Sequence, residues 1–104
     1  MNTYRISVQD APDKAEQAIR LLEKVFRWRY NVHGVHRDAS AVDKETGELR
    51  ITVTLRAKWM ESPNMIRLFP EYTPEGIYRT WLRLISKDST LDNAWIFPME
   101  KIEG

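Results

Sequence analysis

Residue types that could bind a metal ion come together at one place in the sequence. His33 and His36 are the only histidines, and Asp38 follows them. Imidazole and carboxylate groups together can bind transition metals. This segment lies where a predicted helix ends and a strand begins, so the three side chains need not converge, and no fourth ligand is evident. We therefore predict no metal site and interpret the histidines as surface or helix-end residues.

Nucleophilic catalysis requires a serine, threonine or cysteine beside a base that is itself oriented. The chain has no cysteine, no Gly-x-Ser-x-Gly sequence, and only four scattered glycines, which exclude a glycine-rich phosphate loop. A pair of carboxylates could still meet in space, but each acidic residue is explained by a cap, a turn or a helix surface. The sequence favours a non-catalytic protein with no catalytic residue and no cofactor.

Basic residues form two rows that could contact the phosphates of a nucleic acid. On a predicted helix, Arg79, Arg83 and Lys87 are spaced i, i+4, i+8 with no acidic residue between them, which leaves an unpaired basic ridge. The second row, on the polar face of a predicted strand, consists of Arg50, Arg56 and Lys58. The alternative is that both rows are ordinary solvated surface.

Aromatic and arginine side chains form two candidate protein-binding surfaces, because Trp, Tyr and Arg dominate binding hot spots. The first is the end of the first predicted helix, and the second is the segment before Thr73. Alternatively, the helix end covers the edge of the core and the later segment covers one end of it. The candidate residues are Arg27, Trp28, Arg29, Tyr30, Trp59, Phe69 and Tyr72.

The first third of the chain reads as a strand followed by a helix. Apolar and polar residues alternate over Thr3–Val8, which is the period of a half-buried strand. Asp10 and Pro12 are typical of a helix start. Apolar residues then recur at three- and four-residue spacing over residues 15–26, which predicts an amphipathic helix that fades near Tyr30.

The next segment reads as a β-hairpin. Val35–Val42 is a weak strand, and a turn follows in which Gly47 suits a positive φ angle. Apolar residues then alternate without a break with polar or basic ones over residues 49–59, which is the clearest strand signal in the chain.

The last third predicts a second helix and a final strand. Residues 61–72 are irregular, with a short strand or turn over Met65–Phe69. Thr73 and Pro74 are typical of a cap and a first helical residue. Ala94–Phe97 is a short apolar run before Pro98. Because proline cannot donate a ladder hydrogen bond, we expect this strand at a sheet edge.

The element order βαββαβ predicts an α+β fold in one domain over residues 1–104. Its simplest packing is a four-stranded antiparallel sheet with two helices on one face, the ferredoxin-like layout, with the first and third strands central. A different strand order is the alternative. RNA-recognition domains share the element order but carry aromatics on the open face of their two central strands. Those strands carry none here, so we expect no base stacking on this sheet.

The overall composition is consistent with a small binding protein. The net charge of +1 excludes neither a nucleic acid nor a protein partner, and the absence of cysteine and of an apolar leader predicts a cytoplasmic protein with no membrane contact. Eleven aromatic residues are more than a small core readily accommodates. We predict a module that acts by stoichiometric protein–protein interaction or as a homodimer, and the alternative is a nucleic-acid-binding protein.

Overall fold

The computed structural model describes residues 3–30, 35–56, 63–91 and 93–103, without the side chains of residues 28–30, 56, 65, 66 and 103. Three helices, one 3₁₀ turn (Pro70–Tyr72) and five strands occupy these ranges. They are β1 (Thr3–Asp10), α1 (Pro12–Tyr30), β2 (Val35–Val42), β3 (Leu49–Arg56), α2 (Pro63–Leu68), α3 (Pro74–Lys87), β4 (Trp95–Ile96) and β5 (Glu100–Glu103). No helix in these ranges is long and apolar enough to cross a membrane.

The strands form one antiparallel sheet in the order β2-β3-β1-β4, with β5 also paired to β1. The first and third strands are central and the last ones lie at an edge, so the predicted ferredoxin-like layout is confirmed. The order agrees with the hydrophobic pattern of the sequence. β1 and β3 have the most regular alternation of apolar residues, and each pairs with a neighbouring strand on both sides.

The core lies between the sheet and the helices α1 and α3. Tyr4, Ile6 and Val8 of β1 are buried there, as is every second residue of β3 from Ile51 to Leu55. Trp81 of α3 is fully buried, and its indole N–H donates to the main-chain oxygen of Ala18, 2.8 Å away. This bond joins the two helices, and burial of each large apolar side chain contributes roughly 1.5–3 kcal/mol.

The hairpin between β2 and β3 follows the predicted turn chemistry. Gly47 has a φ of 75°, a conformation that glycine adopts without steric cost. Its N–H donates to the main-chain oxygen of Asp43 at 2.7 Å, and the Asp43 carboxylate accepts from the N–H of Glu45 at 2.9 Å. These bonds set the register in which Val42 lies opposite Leu49.

The segment before α3 is helical, so the predicted strand or turn at Met65–Phe69 is wrong. Pro63 begins α2 at a position where a missing N–H costs nothing, and the 3₁₀ turn follows directly. The predicted start of α3 is confirmed. The Thr73 hydroxyl accepts from the N–H of Gly76 at 3.0 Å and donates to the oxygen of Pro70 at 2.7 Å, so it joins the 3₁₀ turn to the helix.

The last strand is interrupted at Pro98. The predicted strand at Ala94–Phe97 is present only as the two residues of β4, and pairing with β1 resumes in β5. The continuation was not predicted, because Glu100–Glu103 carries three charged residues and only one apolar one. On either side of this break, the chain pairs with different parts of β1. β4 lies beside the end of β1 near Gln9, and β5 lies beside its beginning near Thr3.

Candidate binding surface on the open face of the sheet

The face of the sheet opposite the core carries the exposed side chains of Arg5 and Arg50, whereas Ser7 and Thr54 on the same face are buried. Along β1 and β3, every second side chain points away from the core, and paired strands place these residues opposite one another. We refer to this surface as the open face. Its residues on the two central strands are Arg5, Ser7, Gln9, Arg50, Thr52 and Thr54.

Hydroxyl groups form the floor of the open face. Ser7 lies opposite Thr52, and their side-chain oxygens are 3.0 Å apart in a hydrogen bond. The neighbouring Thr54 donates its hydroxyl hydrogen to the carboxylate of Asp38. Asp38 reaches this position because β2 has a register shift between Arg37 and Ala39, the kind of irregularity that re-aims a side chain.

Two aromatic residues from the sheet edge also lie on the open face. Trp95 is opposite Gln9, and the N–H of Phe97 donates to the oxygen of Ser7 at 3.0 Å. The two rings are 6.0 Å apart, and the guanidinium carbon of Arg50 lies 3.9 Å from the centre of the Phe97 ring. Arg50, Phe97 and Trp95 therefore form a continuous row, at the end of which Trp95 is 66% exposed.

A cleft of about 440 Å³ adjoins this row. Two arginines and two carboxylates contribute to its walls, with Arg5 and Arg50 on the central strands and Asp38 and Glu100 on the outer ones. No carboxylate of the described residues lies within 4.0 Å of either guanidinium. The cleft therefore combines two arginines that have no carboxylate partner among the described residues, hydroxyl groups and an aromatic wall. The complete lining is Arg5, Ser7, Asp38, Ala39, Arg50, Thr52, Phe97, Pro98 and Glu100.

A residue of α3 holds the aromatic wall in place from the other side of the sheet edge. The hydroxyl of Tyr78 donates to the main-chain oxygen of Phe97 at 3.1 Å. Burial raises the pKa of Tyr78 above its ordinary value of 10.0, so the hydroxyl keeps its hydrogen at neutral pH. The position of Phe97 thus depends on bonds to both β1 and α3.

Sequence reasoning correctly found no aromatic residue on the open face of the central strands but missed those of the edge strand. The signal is the two-residue spacing of Trp95 and Phe97 around Ile96, which places both rings on the face opposite a core residue. A two-residue strand is too short for this alternation to stand out. The expectation from the sequence concerned β1 and β3 alone, and Trp95 and Phe97 add two rings to this face from the sheet edge.

The predicted basic ridge lies on the opposite side of the molecule. Arg79, Arg83 and Lys87 are all exposed on α3. Of the second row, Arg50 lies on the open face, Arg56 ends β3 with its side chain outside the described residues, and Lys58 is outside them altogether. Arg50 therefore lies on a different face from the basic ridge, and the second row as a whole stays a prediction.

The predicted protein-binding residues at the end of α1 are only partly described. Arg27 is exposed in the last turns of the helix. Trp28, Arg29 and Tyr30 complete α1, but their side chains lie outside the described residues. The role of this helix end stays a prediction.

The candidate residues before Thr73 lie on the surface next to α3. Phe69 is 42% exposed, and its ring stacks on that of Tyr72 with centres 5.6 Å apart. Tyr72 is partly buried against the core, and Trp59 lies outside the described residues. The structure brings Phe69 and Tyr72 together but separates them from the open face.

The residues weighed as metal ligands are not gathered in the described part of the chain. His36 is exposed on β2, Asp38 bonds to Thr54, and His33 lies outside the described residues. Among the described residues, no three histidine, aspartate or glutamate side chains are close enough together to hold a metal ion.

Comparisons with known proteins add no relative to this picture. No family model, no curated protein and no solved structure matches the chain. Function is therefore inferred from the geometry of the open face.

Proposed function

We propose that this protein is a non-catalytic module that binds a protein partner stoichiometrically, through the open face of its sheet. The observation that carries the proposal is the row Arg50–Phe97–Trp95, which ends in a tryptophan that is two-thirds exposed. Tryptophan and arginine are the residues that most often dominate binding energy at protein interfaces. An exposed indole held beside a second ring also loses little conformational freedom on binding.

The charges of the open face favour a protein over a nucleic acid as its partner. The cleft carries both signs, with Asp38 and Glu100 flanking Arg5 and Arg50. A phosphate backbone that crossed this face would meet two carboxylates as well as two cations, so it would gain little electrostatic energy. A protein surface can match both signs, because its own charged groups are of both kinds.

The central arginines indicate what such a partner presents. Neither Arg5 nor Arg50 has a carboxylate partner within the described residues, and the hydroxyls of Ser7 and Thr52 lie between their strand positions. Guanidinium groups bind carboxylates strongly, often through two parallel hydrogen bonds. We expect the partner to place an acidic side chain over the cleft and an apolar one against Trp95.

The first prediction tests this surface by substitution. The protein is immobilised and used to capture partners from a nuclease-treated lysate of its source cells. We expect Trp95→Ala and Arg50→Glu each to weaken capture of the retained protein by at least about tenfold, as for other hot-spot residues. The thermal midpoint should change little, because both side chains are exposed.

Val42→Ala is the matched control, because Val42 is 61% exposed but lies on the opposite edge strand. It should leave capture unchanged. Equal capture by the wild type and both open-face variants would contradict the proposed surface. Failure to retain any protein from the nuclease-treated lysate would contradict a protein partner.

A further inference from the structure

We infer that the outer side of α3 is a second binding surface, which contacts the phosphate backbone of a nucleic acid. It consists of Arg79, Arg83 and Lys87, which we call the basic row. This inference goes beyond the proposed function, since it concerns a different partner and a different face. Its basis is the spacing of these three cations on one helix and the absence of an acidic residue between them.

The cations of the basic row lack acidic partners. Within the described residues, no carboxylate is within 4.0 Å of their side-chain nitrogens, and the only recorded bond of Arg79 is from its Nε to the main-chain oxygen of Glu75, 3.4 Å away. Arg37 of β2, by comparison, forms ion pairs with two residues of α1, Glu16 at 2.8 Å and Glu23 at 3.6 Å. The basic row therefore keeps its full positive charge.

The spacing and surroundings of the row suit a chain of phosphates. Residues four apart on a helix are separated by about 6 Å along its axis, so the three cations extend over about 12 Å. The helix contains no acidic residue after Glu75, and a shallow cleft of about 240 Å³ lies beside Arg79 and Arg83. Glu71 lines the same cleft and Glu75 lies one turn before Arg79, so the positive stretch extends from Arg79 to Lys87. A run of cations without an acidic residue between them favours a polyanion.

The basic row and the open face lie on opposite sides of the sheet. Since α3 covers the face where Ile77 and Trp81 are buried, a nucleic acid on its outer side would not touch the cleft around Ser7. The protein could therefore hold a nucleic acid and a protein partner at the same time. Such an arrangement describes an adaptor rather than two competing sites.

The test is binding of fluorescently labelled DNA, measured by anisotropy as a function of salt. A duplex and a single strand of about 20 nucleotides serve as probes, because the contact is to the backbone and needs no particular sequence. For three phosphate contacts, the plot of log affinity against log salt should have a slope of about −2.7 on the duplex and about −2.1 on the single strand.

Arg79→Glu combined with Arg83→Glu should reduce affinity for the duplex at least about tenfold and remove most of the salt dependence. The control is Arg20→Glu combined with Lys44→Glu, which changes the net charge equally at exposed positions away from α3. It should retain most of the binding. Circular dichroism of both variants checks that the fold is kept.

A slope near zero, or equal loss in both double variants, would overturn the inference, since the first excludes phosphate contact and the second reflects net charge alone. The same α3 variant should still capture the protein partner from nuclease-treated lysate. If the α3 variant loses DNA binding but still captures the protein, the basic row is supported. If Trp95→Ala loses capture but still binds DNA, only the open face is affected. The two proposals can therefore fail separately.

Discussion

Two hydrogen bonds from Thr90 lower the pKa of Asp88, the residue that follows α3. The carboxylate of Asp88 accepts hydrogen bonds from the N–H of Thr90 at 2.9 Å and from its hydroxyl at 2.6 Å. Both bonds favour the charged form, so the pKa of Asp88 lies below its ordinary value of 3.8, with the side-chain bond as the larger cause. A carboxyl with a lowered pKa stabilises the fold above the unfolded pKa, and this contribution is lost as pH falls through the folded value.

We therefore expect Thr90→Ala to raise the pKa of Asp88 towards its ordinary value, because it removes the hydroxyl and keeps the N–H. An NMR titration of the Asp88 carboxyl carbon measures this directly. Thr90→Ser retains a hydroxyl and should retain the lowered pKa. An unchanged titration in the alanine variant would mean that the hydroxyl bond does not form in solution.

The position of a candidate residue in the fold could be predicted from the sequence only where the residue belongs to a long regular element. Arg50 was placed on the polar side of its strand by the alternation of β3. The contact of Arg50 with Phe97 could not be foreseen, because it depends on where β4 and Pro98 join β1. Asp38 was considered as a metal ligand, whereas a register shift in β2 instead directs its carboxylate to Thr54.

At the scale of elements, the approach of the 3₁₀ turn to α3 depends on one glycine. A Cβ atom added to Gly76 would lie 2.2 Å from the main-chain oxygen of Pro70 and 2.6 Å from the Cα of Glu71. These are backbone atoms, so relief requires the turn to move away from the helix. Gly76→Ala should therefore destabilise the protein by roughly 1–3 kcal/mol, as overpacking does elsewhere.

This prediction opposes helix propensity, which favours alanine over glycine by about 1 kcal/mol in a helix interior. Urea unfolding of the variant measures the difference. Ser86→Ala, an exposed change in the same helix, is the control and should stay within about 0.5 kcal/mol of the wild type. A Gly76→Ala variant more stable than the wild type would show that the turn and helix are not in close contact.

The elements themselves were predictable to the extent that their signals are local. The turn at Gly47 and the cap at Thr73 each depend on bonds within a few residues, and both are present. The helix α2 was missed because its six residues are too few for a helical period to be visible. The strand β5 was missed because its charged residues pair with β1 through the main chain alone.

At the scale of the molecule, the strand order was predictable because few layouts fit the order of elements. The chain passes from β1 through α1 to β2, which lies parallel to β1 with room for one strand between them. The hairpin from β2 places β3 in that position. The resulting layers put α1 and α3 on one face and leave the other open. What covers the open face is outside the reach of the sequence, since no local pattern specifies a partner.

Tyr78 connects these two layers, because it lies on α3 and its hydroxyl bonds to the main chain of Phe97 on the sheet edge. Tyr78→Phe should cost about 1 kcal/mol of stability. It should also weaken partner capture, because the bond positions the ring against which Arg50 packs. The control is Ser86→Ala. The Ser86 hydroxyl also donates to a main-chain oxygen, that of Arg83 at 2.8 Å, but this bond lies within α3 and does not reach a strand.

Urea unfolding and capture measured on both variants separate the two effects. If Tyr78 acts on the open face, capture falls in Tyr78→Phe but not in Ser86→Ala, and Trp95→Ala makes the Tyr78 substitution silent in capture. The raised pKa of Tyr78 adds a pH test, because its stabilising effect is present below pH 10.0 and is lost as pH rises through the folded pKa. The wild type should therefore lose stability at alkaline pH relative to Tyr78→Phe, and parallel pH profiles for the two proteins would contradict the burial of this hydroxyl.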